Sequence, residues 1–271
     1  MSRVRFIILL SLLLSMTLFN ASETIKQTSI SQDVPETTGE FPIESFVQIK
    51  TVVEVEVLIA HEGPTKCPKE ATCDNYEIAT LVKKSMSSGA ISWVGHGSTL
   101  VMTAGHSCVS EFIESAEVKI VKQEFHISTG HGVSAMATVL LVEEESDLCM
   151  LLLEKNIGPP MKYASESLPI HSKIRAMASP LGLGSPYAIP VFEGRYFGDL
   201  GSLRSTFGIP SAPGSSGGPV FNDDGEIVSV IIAVANGFHH FSIGTTTSQT
   251  YDFLNKSIRA LEDSRQNTDE E

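Results

Sequence analysis

The sequence predicts an all-β fold with a single helix at its C-terminal end. Short runs of alternating or β-branched apolar residues, broken by Gly and Pro, recur from about residue 46 to 243, which is the pattern of a sandwich or barrel. Leu148 to Leu153 is a continuous apolar run, as expected of a strand covered on both faces. Only the last stretch changes period: Tyr251, Leu254, Ile258 and Leu261 recur at three- and four-residue steps behind Thr247-Ser248, the signature of a capped amphipathic helix.

Taken in order, residues 23–45 are rich in Ser, Thr, Gln and Pro without periodicity and read as a flexible leader. Val53, Val55, Val57 and Ile59 alternate with Glu54, Glu56 and Leu58, a strand with one buried face. A cysteine loop, Cys67 to Cys73, then interrupts the strands. Ala90 to Val94, the turn Gly95-His96-Gly97 and Ser98 to Thr103 form a hairpin that delivers His106 at its far end. Val118 to Phe125 and Ala135 to Val142 are further strands, and Asp147 sits at the mouth of the apolar run. Gly158-Pro159-Pro160 and the residues to Ser167 read as a linker. A second set follows: Ile174 to Ala178, Ala188 to Phe197, Val220 to Phe221, Glu226 to Ala235 and Phe238 to Ile243. The expected division is 46–163, 164–247, a helix over 248–262 with its stripe packed on the second unit, and an acidic tail, 263–271.

With 271 residues, 42% hydrophobic and 19% charged, the chain can bury a substantial core and is not disordered. Its formal net charge of −13 argues against nucleic acid as a partner, because phosphate binding calls for a basic surface. Residues 1–22 read as an export signal: Arg3 and Arg5 precede the apolar run Phe6 to Phe19, and Asn20-Ala21-Ser22 offers small residues for cleavage. That run falls short of the roughly 20 residues a spanning helix needs, so a secreted or periplasmic product without stable membrane insertion is expected. An uncleaved N-terminal anchor is the alternative. Four cysteines allow three pairings, and local spacing favours Cys67 with Cys73. Without a Cys-x-x-Cys, and with His106 and Cys108 poorly spaced as ligands, no metal site is predicted.

The chemistry concentrates in Pro213-Gly214-Ser215-Ser216-Gly217-Gly218-Pro219. A hydroxyl that attacks a carbonyl needs open space and converging backbone N–H groups, and a glycine-rich loop can turn tightly enough to supply both. Upstream stand Thr103-Ala104-Gly105-His106 and Ser146-Asp147-Leu148, a base and an acid. Taken together and in this order, the three stretches resemble the signatures of the trypsin/chymotrypsin-like serine peptidases. Ala178-Ser-Pro-Leu-Gly182-Leu-Gly184 and Asn222-Asp-Asp-Gly225-Glu226 to Val230 resemble the compact bacterial and viral branch, and the likeness covers about residues 50–262.

The resemblance implies two six-stranded antiparallel barrels with the active site in the cleft between them. It implies Ser216 as nucleophile, His106 as general base and then acid, and Asp147 as the residue that orients His106. The oxyanion hole is then the N–H groups of Gly214 and Ser216. If His106 and Asp147 meet, Cys108 and Cys149, two residues beyond each, come within bridging distance. Pro210, six residues before Ser216, replaces the aspartate of basic-specific members, and Ile231 replaces the histidine of glutamate-specific ones. A pocket walled by Ile231, Ile232, Ala233 and Val234 is expected to prefer apolar or small uncharged residues, with Ile232 to Val234 pairing with the substrate backbone. The implied product is a secreted serine endopeptidase, expected as a monomer, acting on a protein or peptide substrate without a cofactor. The reading from a different class is a catalytically silent homologue used as a binding module.

Overall fold

The computed structural model describes residues 42–60, 76–110, 115, 117–184, 188–235 and 237–269. The expected export signal, all but the end of the leader, and the Cys67–Cys73 bridge lie outside the described residues. The fold is two closed six-stranded antiparallel barrels followed by a helix. The first contains β1 (Phe46–Ala60), β2 (Tyr76–Gly95), β3 (Ser98–Ala104), β4 (Val118–Thr129), β5 (Ser134–Glu143) and β6 (Leu148–Leu153), paired around the ring as β1-β2-β3-β6-β5-β4. The second contains β7 (Lys173–Met177), β8 (Val191–Leu200), β9 (Arg204–Phe207), β10 (Pro219–Phe221), β11 (Ile227–Ala235) and β12 (Phe238–Gly244), paired as β10-β11-β12-β9-β8-β7. Helix α1 spans Thr247–Asp269.

Alternation explains the first barrel. Val47, Ile49, Thr51, Val53 and Val55 of β1 are buried while Gln48, Lys50, Val52 and Glu54 between them are more exposed, and Val47 and Ile49 meet Val101, Phe125, Ile127 and Leu151 in the barrel interior. The run Leu148–Leu153 is apolar throughout because both faces are covered. Cys149, Leu151 and Leu153 point into the barrel, and Leu148 and Met150 lie under α1 with Phe253, Leu254 and Leu261. Strand β3 is covered in the same way, with Val101 inside and Leu100 and Met102 beneath the helix.

Four features depart from the sequence-based expectation. Strand β2 begins at Tyr76 rather than near Ala90. Its first half pairs with β1 in an arm that leaves Ile78, Leu81 and Val82 exposed, so no alternation marks it. Strand β9 was not expected: Arg204-Ser-Thr-Phe207 holds a single apolar residue, yet it pairs with both β8 and β12 and buries Phe207. The linker is pinned, since Met161 N–H donates to the Ile91 carbonyl (2.8 Å) and Ala164 N–H to that of Ile227 (2.9 Å).

The helix is the fourth. It runs to Asp269, into the stretch expected as tail, and Arg265 near its end hydrogen-bonds Ser98 Oγ and pairs with Glu154. Its apolar stripe packs on both barrels: Phe253, Leu254 and Leu261 meet Leu100, Met102, Leu148 and Met150 of the first and Val230 of the second. Tyr251 is exposed, and Phe253 takes the buried place.

Candidate active site

His106 lies in a one-turn 3-10 helix, Gly105–Ser107, directly after β3. Asp147 ends the turn between β5 and β6 with a φ of 55°, a left-handed conformation that Asp tolerates better than most side chains. The two segments are tied at three points. Gly105 N–H donates to the Asp147 carbonyl (2.8 Å). His106 N–H donates to Asp147 Oδ1 (2.7 Å), and His106 Nδ1 lies 2.8 Å from Oδ2. A carboxylate oxygen without a proton only accepts, so this bond calls for a proton on Nδ1, and in the neutral ring that tautomer has the lone pair on Nε2. A Cβ at residue 105 would stand 2.9 Å from Asp147 Oδ1 and 3.0 Å from the Asp147 carbonyl carbon, which is why a glycine precedes the histidine.

The turn that carries Asp147 is braced from outside. Ser146 Oγ donates to Glu143 Oε2 (2.7 Å) and Lys256 of α1 donates to Glu143 Oε1 (2.8 Å). Those two bonds hold the Glu143 carboxyl below its ordinary pKa range, the lysine contributing most. Arg204, at the start of β9, donates to the carbonyls of Glu145 (3.0 Å) and Ser146 (3.4 Å). Cys108 and Cys149 form a disulfide with a Cα separation of 6.4 Å, joining the ends of the two segments that bear His106 and Asp147.

Ser216 lies in the tight turn between Ser211 and β10. Gly214 has a φ of 97° and Gly217 one of 85°, both in the region that favours glycine. Side chains there would also collide: a Cβ on Gly217 would meet the Ser88 carbonyl and Thr103 Oγ1, and one on Gly214 would stand 2.5 Å from the Ser179 carbonyl oxygen. The turn is thus pressed against the first barrel at Thr103, three residues before His106.

Ser88 of β2 is the bolt across that junction, and it is completely buried. Its N–H donates to the Ser216 carbonyl (2.8 Å). Its Oγ donates to the Gly214 carbonyl (2.8 Å) and accepts from Ser179 N–H (2.9 Å), while its own carbonyl accepts from Thr103 Oγ1 (2.7 Å). Sequence reasoning missed Ser88. A small polar residue at a strand position carries no periodic signal.

Two further bonds decide where the N–H groups of the turn point. The Pro213 carbonyl accepts from Leu181 N–H (2.5 Å) and the Ser215 carbonyl from Gly218 N–H (2.9 Å). In a trans peptide C=O and N–H point opposite ways, so Gly214 N–H and Ser216 N–H are turned from those partners. Ser215 N–H donates to the Ala212 carbonyl and Gly217 N–H to that of Ile231. Among the described residues, Gly214 N–H and Ser216 N–H have no acceptor.

Beside the serine opens a pocket of about 210 Å³, walled by Ser211 to Pro213 on one side and by Ile231, Ala233 and Val234 on the other, with Ser215 and Ser216 at its rim. Two residues expected there do not line it. Pro210 lies one residue short of the wall, and Ile232 is buried and sent to the other face by the alternation of β11. His239 and His240 of β12 are exposed and do not line it. Beyond Ile231, whose N–H and carbonyl bond Gly218 and Gly217, β11 pairs with β12 alone among the described residues, leaving one edge of Ile232 to Ala235 open.

Comparison with known proteins bears on the fold and the family. A probable periplasmic serine endoprotease of the DegP-like type from Chlamydia pneumoniae is 25% identical over 119 residues, which cover 42% of this chain and 24% of that protein. The chain therefore matches about a quarter of the length of that relative. Among solved structures, an HtrA-type protease, AlgW with a decapeptide, aligns with a TM-score of 0.56 at 15% identity over 80% of this chain and 65% of that one. A serine endoprotease from Yersinia pestis aligns with the same score and identity over 80% and 64%. A protease from M. tuberculosis in its active form gives 0.52 at 17% over 75% and 76%. These likenesses establish the shared double-barrel fold. Residues 87–230, from β2, which carries Ser88, into β11, the second strand after Ser216, match the trypsin-like peptidase domain; the chain belongs to the trypsin-like peptidase family.

Proposed function

We propose that the chain is an exported serine endopeptidase that cleaves through an acyl-enzyme. Ser216 Oγ attacks the scissile carbonyl while His106 Nε2 takes its proton, and Asp147 stabilises the resulting imidazolium without accepting the proton. The tetrahedral oxyanion is held by Gly214 N–H and Ser216 N–H. His106 then gives the proton to the leaving amine, a water replaces that product, and its attack on the ester, with His106 again the base, releases the acid and restores Ser216. The observation that carries the reading is the doubly bonded His106–Asp147 pair, which fixes the tautomer that leaves Nε2 able to receive a proton.

Export is supported by the N-terminal sequence and by the Cys108–Cys149 bridge, since disulfides persist in oxidising compartments. The periplasmic designation of the Chlamydia pneumoniae relative points the same way. The substrate is a protein or peptide laid along the open edge of β11, where main-chain bonds supply affinity, with a small or apolar uncharged side chain in the neighbouring pocket. Every residue that walls that pocket is uncharged, so a substrate carboxylate or ammonium would be desolvated without a counterion.

The test is titration of the full chain with a serine-directed phosphonylating reagent, followed by mass spectrometry of the peptide containing Ser216. Stoichiometric labelling at Ser216, lost in His106→Ala, is expected. Failure to label a folded chain would favour the silent homologue.

A further inference from the structure

The pocket beside Ser216 has one wall that is not apolar, and the hydrogen bonds behind it fix what that wall offers. Ser242 of β12 is completely buried and donates its hydroxyl proton to the Ile209 carbonyl (2.7 Å). A carbonyl cannot donate, and a serine hydroxyl has one proton. Ser242 Oγ is also 2.5 Å from Ser211 Oγ, so in that second bond it must be the acceptor and Ser211 the donor. Ser211, 6% exposed and part of the pocket lining, has thereby committed its only proton behind the wall. Its oxygen keeps its lone pairs and, toward any further partner, can only accept.

From this arrangement we infer that Ser211, set by Ser242, selects substrates whose residue before the scissile bond is small and carries a hydrogen-bond donor, threonine foremost and serine next. This rests on the peptidase reading above and sharpens it. Threonine and valine have nearly the same shape and differ in a hydroxyl, and both fit a pocket of about 210 Å³ walled by Ile231, Ala233 and Val234. Threonine can lay its methyl group on that apolar side and donate its hydroxyl to Ser211 Oγ. Valine displaces whatever water solvates Ser211 Oγ and gives nothing back, so the acceptor is left unsatisfied. An aspartate or glutamate offers only acceptors to an acceptor and finds no counterion in the lining.

The experiment uses the full chain and a pair of otherwise identical peptides with Thr or Val before the cut, with kcat/KM measured for each. The native chain is expected to prefer Thr by roughly three- to tenfold. In Ser211→Ala that preference is expected to vanish or invert. Because the readout is a ratio within one protein, a general loss of activity in the variant does not disturb it. A second variant, Ser242→Ala, removes the acceptor behind the wall and frees the Ser211 proton, and is expected to narrow the gap between threonine and acceptor-bearing side chains. Equal cleavage of both peptides by the native chain, or a preference for Thr that survives Ser211→Ala, overturns the inference while leaving the peptidase reading intact. Absence of cleavage of either peptide, together with absence of phosphonylation at Ser216, overturns the peptidase reading and this inference with it.

Discussion

Ser88 Oγ donates a 2.8 Å hydrogen bond to the Gly214 carbonyl, so a fully buried side chain of the first barrel sets the backbone of the serine turn in the second. With Ser88 N–H on the Ser216 carbonyl, it holds both ends of the segment whose amides are proposed to bind the oxyanion. Ser88→Ala removes the side-chain bond, leaves the Gly214 carbonyl without its partner and lets the turn shift. Small displacements of a preorganised site cost heavily. We expect kcat to fall roughly ten- to hundredfold with KM little changed, measured by steady-state kinetics; a rise in KM alone would place Ser88 in substrate binding instead.

The disulfide Cys108–Cys149 closes a loop over a sequence separation of 41, starting just after His106 and ending just after Asp147. Restricting the unfolded chain over such a loop is worth about 2–4 kcal/mol. The double variant Cys108→Ala, Cys149→Ala is expected to lose that amount in urea unfolding. Native protein should respond to a reducing agent in the same direction.

Lys256 of α1 and Ser146 lower the pKa of Glu143 in the folded chain. A group whose pKa is depressed on folding adds stability above its unfolded pKa and loses it as pH falls. The stability difference between the native chain and Glu143→Gln should therefore be full above about pH 5 and close as pH drops through the ordinary glutamate range, near 4, and below it. Thermal unfolding of both proteins across that range checks the sign, and a difference that grows toward low pH would contradict it.

Helix α1 shields the outer faces of β3 and β6, and Phe253, only 1% exposed, is central to that contact. Phe253→Ala is expected to destabilise the chain by about 3–5 kcal/mol, read from chemical unfolding. A loss below 1 kcal/mol would mean that the helix is not part of the cooperative core.

The elements that were legible in the sequence are those whose side chains see a uniform environment. The run Leu148–Leu153 and the alternation in β1 report burial directly, and three short motifs singled out His106, Asp147 and Ser216, the residues proposed to act together. What stayed hidden is held by pairing rather than pattern. Strand β9 contributes backbone bonds and one phenylalanine, and the first half of β2 lies in an arm with little to bury. The pocket was misjudged at Pro210 and Ile232 because counting from Ser216 gives positions along the chain but not the face a strand presents. Ser88 and the Ser211–Ser242 pair could not be read at all, because each acts on a residue distant in sequence and serine has no characteristic spacing.

The central claim is that Ser216 and His106 act as one unit. Residues acting together are strongly non-additive, since losing either removes the mechanism. The measurement is kcat/KM on a cleavable peptide for Ser216→Ala, His106→Ala and the double variant, with folding checked by circular dichroism. Each single change is predicted to lower activity by at least about 10⁴-fold, with the double variant no more than a fewfold below them. Wild-type hydrolysis by Ser216→Ala, or losses that multiply in the double variant, would contradict the account.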